Sequence, residues 1–183
     1  LGDGHIEPLI VGGCIGPWAM AMLSAMFLLR KIEASPAELR NWTFDTAAIE
    51  LHWHLPSSKS DTLALGTSRT WGCLCAIPSL ACPYHIACAH RDELVVRYGP
   101  LANILDMPIF PGLEGLVVSK TAVVATFEAL AMAVGQPTHS VDGARLLGGH
   151  SARVTGAQVL AAHGVEVARL RILARHSGDS IMR

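Results

Sequence analysis

The sequence predicts a mainly helical α+β domain with one small antiparallel sheet. Two features lead there: a hydrophobic period that changes from helical to strand and back again, and cap and breaker residues that fall at those changes. Composition agrees. The 183 residues are 51% hydrophobic and 16% charged, well below the ~25% charge of an average soluble chain, which argues against a disordered or tail-like protein. That length suits one core of ordinary domain size.

Cys14 to Leu29 is sixteen uncharged residues ending in Arg30-Lys31-Ile32-Glu33. A membrane span needs roughly 20 apolar residues, so the stretch predicts a buried helix starting near Pro17. With no basic region before it, a secretory leader is not expected. The expectation is a soluble intracellular protein with no membrane partner. The helical pattern runs from Trp18 to Arg40, with Ser35-Pro36 interrupting it. In Ile49-Glu50-Leu51-His52-Trp53-His54-Leu55 the period becomes two, the mark of a half-buried strand. Trp42 and Phe44 suggest its hairpin partner, residues 56–61 a turn, and the run through Thr70-Trp71 a third strand.

Residues 72–115 are rich in Pro, Gly and Cys and read as an irregular insertion with one helix near Tyr84–Arg97. Ser119 then caps a helix to Val134 that Gly135 ends. Two more helices, about 151–163 and 166–175, are separated by Gly164. No internal repeat is present.

The net charge of −1 hides an asymmetry: residues 1–143 carry eight Lys/Arg against thirteen Asp/Glu, and residues 144–183 carry six Arg against two acids. A uniformly basic surface is excluded, but a basic C-terminal block is not. Within that block stand Gly149-His150-Ser151-Ala152-Arg153-Val154-Thr155, then Gly164, then Leu173-Ala174-Arg175-His176-Ser177. This stretch resembles the second signature box of the tyrosine recombinases, the phage integrase family. His150, Arg153, Thr155, Gly164, His176 and Ser177 keep its register over twenty-eight residues. Phe27-Leu28-Leu29-Arg30-Lys31-Ile32-Glu33 resembles the family's first box, an arginine after an apolar helix with an acid one turn on.

The resemblance implies a catalytic-type domain that breaks a DNA phosphodiester by tyrosine attack and needs no cofactor for it. Arg30 and Arg153 would clamp the phosphate, because guanidinium forks match its oxygens and stay charged. His150 would move or position a proton, His176 would donate to a phosphate oxygen, and Lys59, on the strand turn, would protonate the leaving 5′ hydroxyl. Double-stranded DNA and a synaptic homotetramer are the implied partners. The family's tyrosine lies beyond the His176 position. Tyr84 and Tyr98 are the two tyrosines of the sequence, and neither matches that place. The expectation is a domain over 1–183 cut at both ends, with the nucleophile just past Arg183. The alternative is an inactive, zinc-stapled DNA-binding or protein-interaction module of the same descent.

Six of the fourteen Cys and His residues fall in positions 73–90. Cys73, Cys75, Cys82 and His85 form the most economical tetrahedral set for a structural zinc, with Cys88 and His90 as substitutes. Reduced core cysteines or a redox pair are the other readings of the same residues. Such an insert fits a divergent recombinase of a eukaryotic mobile element, which would act in the nucleus.

Overall fold

The computed structural model describes residues 6–55, 66–77 and 79–174. Helix α1 (Pro17–Met26) and the short α2 (Lys31–Ala34) lead into strands β1 (Trp42–Asp45), β2 (Glu50–Leu55) and β3 (Thr67–Gly72). Helices α3 (Pro83–Tyr98), α4 (Lys120–Ala133), α5 (Ser151–Ala162) and α6 (Val167–Ala174) follow. The class is the expected one: helices around one antiparallel sheet of order β1-β2-β3. Among the described residues no helix is long and apolar enough to cross a membrane.

The strand alternation works as the sequence implies. Leu51, Trp53 and Leu55 of β2 are buried, while Glu50, His52 and His54 lie on the other face. Trp42 of β1 faces Trp53, and Arg69 of β3 faces it from the other side. Trp53 then packs edge-on against Phe27 at 5.1 Å and Trp42 at 5.3 Å, tying the sheet to the end of α1.

One expectation needs correction. The helical pattern does not continue from Trp18 to Arg40: α1 stops at Met26, and Leu28 adopts φ +50°. The Leu28 N–H donates to Ala25 O and the Leu29 N–H to Ser24 O, which is the Schellman pattern of a helix C-terminus. Leucine stands where glycine is the usual occupant, so the stop carries no sequence signal. Tertiary contacts hold it instead. The indole of Trp71 donates to Met26 O at 2.7 Å, Arg69 donates to the carbonyls of Phe27 and Leu28, and Arg153 donates to Leu28 O at 2.7 Å. These are carbonyls that a helix end leaves without partners.

Residues 72–115 carry the one long helix expected near Tyr84–Arg97, and the segment contributes to the core. Ala87, Leu94, Ile109 and Phe110 from this segment are fully buried or nearly so. His90 lies among them, donating from Nε2 to Ile109 O at 2.6 Å. Burial pushes its pKa down to about 4, so it is a neutral core imidazole. Gly16, at φ +66°, is required beside it, because a Cβ there would meet the His90 ring at 2.4 Å.

The later helices match the expected cap signals. The Ser119 hydroxyl accepts from the Ala122 N–H at 3.0 Å at the start of α4, and Gly135 and Gly164 take left-handed φ at the ends of α4 and α5. Ser35 donates to Val118 O at 2.7 Å, joining the end of α2 to the entry of α4. Helix α5 lies directly on α1, and a Cβ on Gly156 would come within 1.9 Å of Ala25 O. Gly156→Ala should therefore destabilise the fold by about 1–3 kcal/mol through overpacking, although alanine is the better helix former by roughly 0.8–1.0 kcal/mol. The urea midpoint reads this directly; an unchanged midpoint would mean that α1 and α5 can separate there.

Candidate active site and metal centre

The turn after α1 delivers Arg30 to the N-terminus of α2. There the Glu33 side chain folds back, and its Oε2 accepts the Arg30 backbone N–H at 2.8 Å. The same oxygen accepts from Arg153 Nη2, also at 2.8 Å. Residues from the two sequence boxes thus meet at one atom, although Glu33 and Arg153 are 120 positions apart in the chain. Next to them, the Lys31 N–H donates to Gly149 O at 3.0 Å, pinning α2 to the segment that enters α5.

Above this junction is an open cleft of about 420 Å³ lined by Arg30, Lys31, Ile32, Gly149 and His150. Arg30 Nε is buried there with no hydrogen-bond partner among the described residues. The Lys31 side chain crosses Gly149 so closely that a Cβ would meet its Cδ and Cε at 2.7 Å. His150 stands at the N-terminal boundary of α5. Partial burial holds its pKa below the ordinary histidine value, with the Arg30 and Arg153 cations adding to the effect. A neutral imidazole beside the Arg30 and Lys31 cations that line the cleft can accept a proton while the cations hold an anion.

Arg153 does not open on the cleft. Its side chain is 2% exposed, and its donors go to Leu28 O, to Ala174 O at 2.9 Å and to Glu33. The expectation that His150 and Arg153 point together at one phosphate is therefore not met in this conformation. His150 faces the cleft, and Arg153 lies beneath it, holding the ends of α1, α2 and α6 together. Lys59 and His176 lie outside the described residues. Neither Tyr84 nor Tyr98 lines the cleft: Tyr84 packs on Phe44 and His85, and the Tyr98 hydroxyl lies 3.0 Å from Gly112 O and Leu113 O.

Sequence reasoning passed over two residues. Lys31 was legible only as the neighbour of Arg30, and the structure makes it part of the cleft lining. Arg69, 4% exposed beneath the sheet, sits in an alternating strand that gave no reason to expect a buried cation. The basic C-terminal block is also less free than its composition suggests. Arg145 forms a fork on Glu128 at 2.6 and 2.9 Å, and Arg153 is paired with Glu33.

The four expected metal ligands do converge. One donor atom each from Cys73, Cys75, Cys82 and His85 lies within 4.8 Å of the others. Cys73 Sγ is 3.8 Å from both Cys82 Sγ and His85 Nδ1, and His85 Nδ1 is 3.2 Å from the sulfurs of Cys75 and Cys82. Ligands about 2.3 Å from a tetrahedral ion stand roughly 3.8 Å apart, so the set can hold a metal. All four cysteine and histidine positions flank one junction, the exit of β3 and the first turn of α3. Burial pushes the Cys82 thiol up, but hydrogen bonds from His85 and Leu74 outweigh this and bring it down to about 6. Hydrogen bonds with Cys73 and Cys82 push Cys75 up to about 11. Sulfurs this close cannot all ionise without a cation between them. The proposed substitutes are elsewhere: His90 is in the core, and Cys88 lies next to Tyr84 along α3.

Glu33→Gln tests the junction. It removes the negative charge of a buried ion pair, and unfolding stability should fall by about 3–5 kcal/mol. Urea denaturation measures the loss; a change below ~1 kcal/mol would show that the pair relaxes into solvent.

No family model and no curated protein matches the chain by sequence. The structure is similar to a chain in the crystal structure of the XerH site-specific recombinase bound to difH substrate, a pre-cleavage complex. The TM-score is 0.61 at 14% identity, and the match covers 88% of this chain but 40% of that one. The chain thus spans less than half of the neighbour, and what the two share at this identity is the fold of the matched part.

Proposed function

We propose that this chain is the catalytic-type domain of a tyrosine recombinase, which binds duplex DNA and orients a backbone phosphate for strand transfer. The observation that carries the reading is the cleft: Arg30, Lys31 and His150, from two boxes that resemble the family's, surround one opening above the Glu33–Arg153 pair. The shared fold supports it. Arg30 and Lys31 bind the non-bridging oxygens, where negative charge grows during attack on phosphorus. His150, held neutral beside them, takes or positions the proton of the attacking hydroxyl. Lys59 protonates the departing 5′ oxygen, and His176 donates to the phosphate. Arg153 positions Arg30 through Glu33, and reaches the phosphate itself only if it exchanges a protein acceptor for it. In the complete reaction a tyrosine oxygen forms the new bond to phosphorus as the bond to the 5′ oxygen breaks, on a synaptic homotetramer. The Cys/His centre favours a divergent type from a eukaryotic mobile element, working in the nucleus.

The test uses duplex binding and covalent trapping together. Arg30→Ala should weaken binding of a short duplex, with the salt dependence of affinity becoming shallower by about one phosphate contact. In the full-length protein, a nicked duplex that loses its free 5′ hydroxyl should trap a protein–DNA adduct, and Arg30→Ala should cut the trapping rate by about 100-fold or more. Tight duplex binding with no adduct would favour the second reading, an inactive DNA-binding module. Failure to bind duplex DNA at all would overturn both.

The Cys73, Cys75, Cys82 and His85 set holds, in our reading, a structural zinc. Three sulfurs and a nitrogen are a closed donor set for that ion, which leaves no position for substrate. Metal analysis of the purified protein should find one zinc per chain, and Cys82→Ser should lose it. Zinc-free protein with an unchanged melting temperature would overturn the assignment.

A further inference from the structure

The metal centre and the cleft are joined by one strand. Two residues before Cys73, Trp71 donates its indole N–H to Met26 O, and two residues before that, Arg69 donates to Phe27 O and Leu28 O. The capped segment runs straight into Arg30, the cleft's arginine. On the other side of the strand exit, the Leu74 N–H points at Cys82 Sγ at 3.3 Å, and Cys82 is the N-cap of α3. The exit of β3 is thus held at one end by sulfur and at the other by the carbonyls that shape the site. Its last pair joins Glu50 to Gly72, a residue with no side chain to anchor it.

We propose that Trp71 is a positioning residue that couples the Cys/His metal centre to the phosphate cleft, so that metal loading raises the affinity of Arg30 and Lys31 for DNA phosphate. The inference rests on both readings given above, the zinc and the DNA cleft. With metal bound, Cys73 and Cys75 fix the end of β3, and the Trp71 indole stays on Met26 O. Without it, the four ligands repel or rotate apart, the strand frays back from Gly72, and the cap opens. The turn at Leu28 then loses one of the donors that hold it, and Arg30 is less well oriented. Coupling of this kind is reciprocal: duplex DNA must tighten zinc retention by the same factor by which zinc tightens DNA binding.

The experiment is a cycle on the full chain, zinc-loaded or stripped with a chelator, in the wild type and in Trp71→Phe. That substitution keeps an aromatic ring and removes the N–H donor. Duplex affinity is read by fluorescence anisotropy, and far-UV circular dichroism checks that the stripped protein keeps its helices. Stripping should weaken wild-type binding by about five- to tenfold, the size expected for one buried hydrogen bond, but Trp71→Phe by less than about twofold. Cys82→Ser should behave as the stripped wild type. Equal losses in the two backgrounds, or no loss in either, would overturn the coupling and leave both parent readings standing. Absence of bound zinc overturns it together with the metal assignment. Duplex binding that ignores Arg30→Ala overturns it together with the phosphate assignment.

Discussion

The end of α1 is the constraint on which the rest of the molecule depends. A helix that stops inside a protein leaves carbonyl groups that water cannot reach, and each must find a donor. Here the donors are Trp71, Arg69 and Arg153, drawn from β3 and α5. Satisfying three adjacent carbonyls brings the sheet, the first helix and the C-terminal helices to one place. It also turns the chain through a left-handed Leu28, a conformation that costs a non-glycine residue roughly 1–2 kcal/mol. That cost is tolerable because the turn aims Arg30 and places Glu33 below it.

The buried Glu33–Arg153 pair is better understood as geometry than as stability. Desolvating two charges costs several kcal/mol each, and their attraction about repays it. An apolar pair of the same volume would hold the helices as well. What it would not do is present an oxygen that receives a backbone N–H of α2 and a guanidinium of α5 at the same distance. The ion pair therefore specifies where the two sequence boxes meet. With the Arg153 side chain 2% exposed, the cations that line the cleft among the described residues are Arg30 and Lys31.

Much of this was legible in the chain, for identifiable reasons. Period-two alternation in residues 49–55 marks β2, because one face of the sheet is buried and the other is not. Ser119, Gly135 and Gly164 mark helix ends because their side chains, or lack of them, suit those backbone positions. The four metal-ligand candidates were readable from spacing alone, since thiolates and imidazoles crowd into one short segment. What escaped was everything decided by distant contacts. Leu28 looks like any helical leucine, and only the donors of β3 and α5 make it a stop. Arg153 looks like a surface residue one turn from His150, and only Leu28 O, Ala174 O and Glu33 show that it points inward. His90 carries the chemistry of a ligand, but the aromatic rings around it make it core.

The hydrogen bond from Arg153 to Leu28 O spans 125 positions of the chain, and that to Glu33 spans 120. Loop closure over such lengths comes late in folding, after local helices and hairpins have formed. A chain emerging from the ribosome therefore carries Arg30 and Lys31 long before it carries the helix that organises them. Until α5 docks, there is no cleft and no oriented pair of cations. The cleft is thereby kept from taking shape while the chain is only partly made.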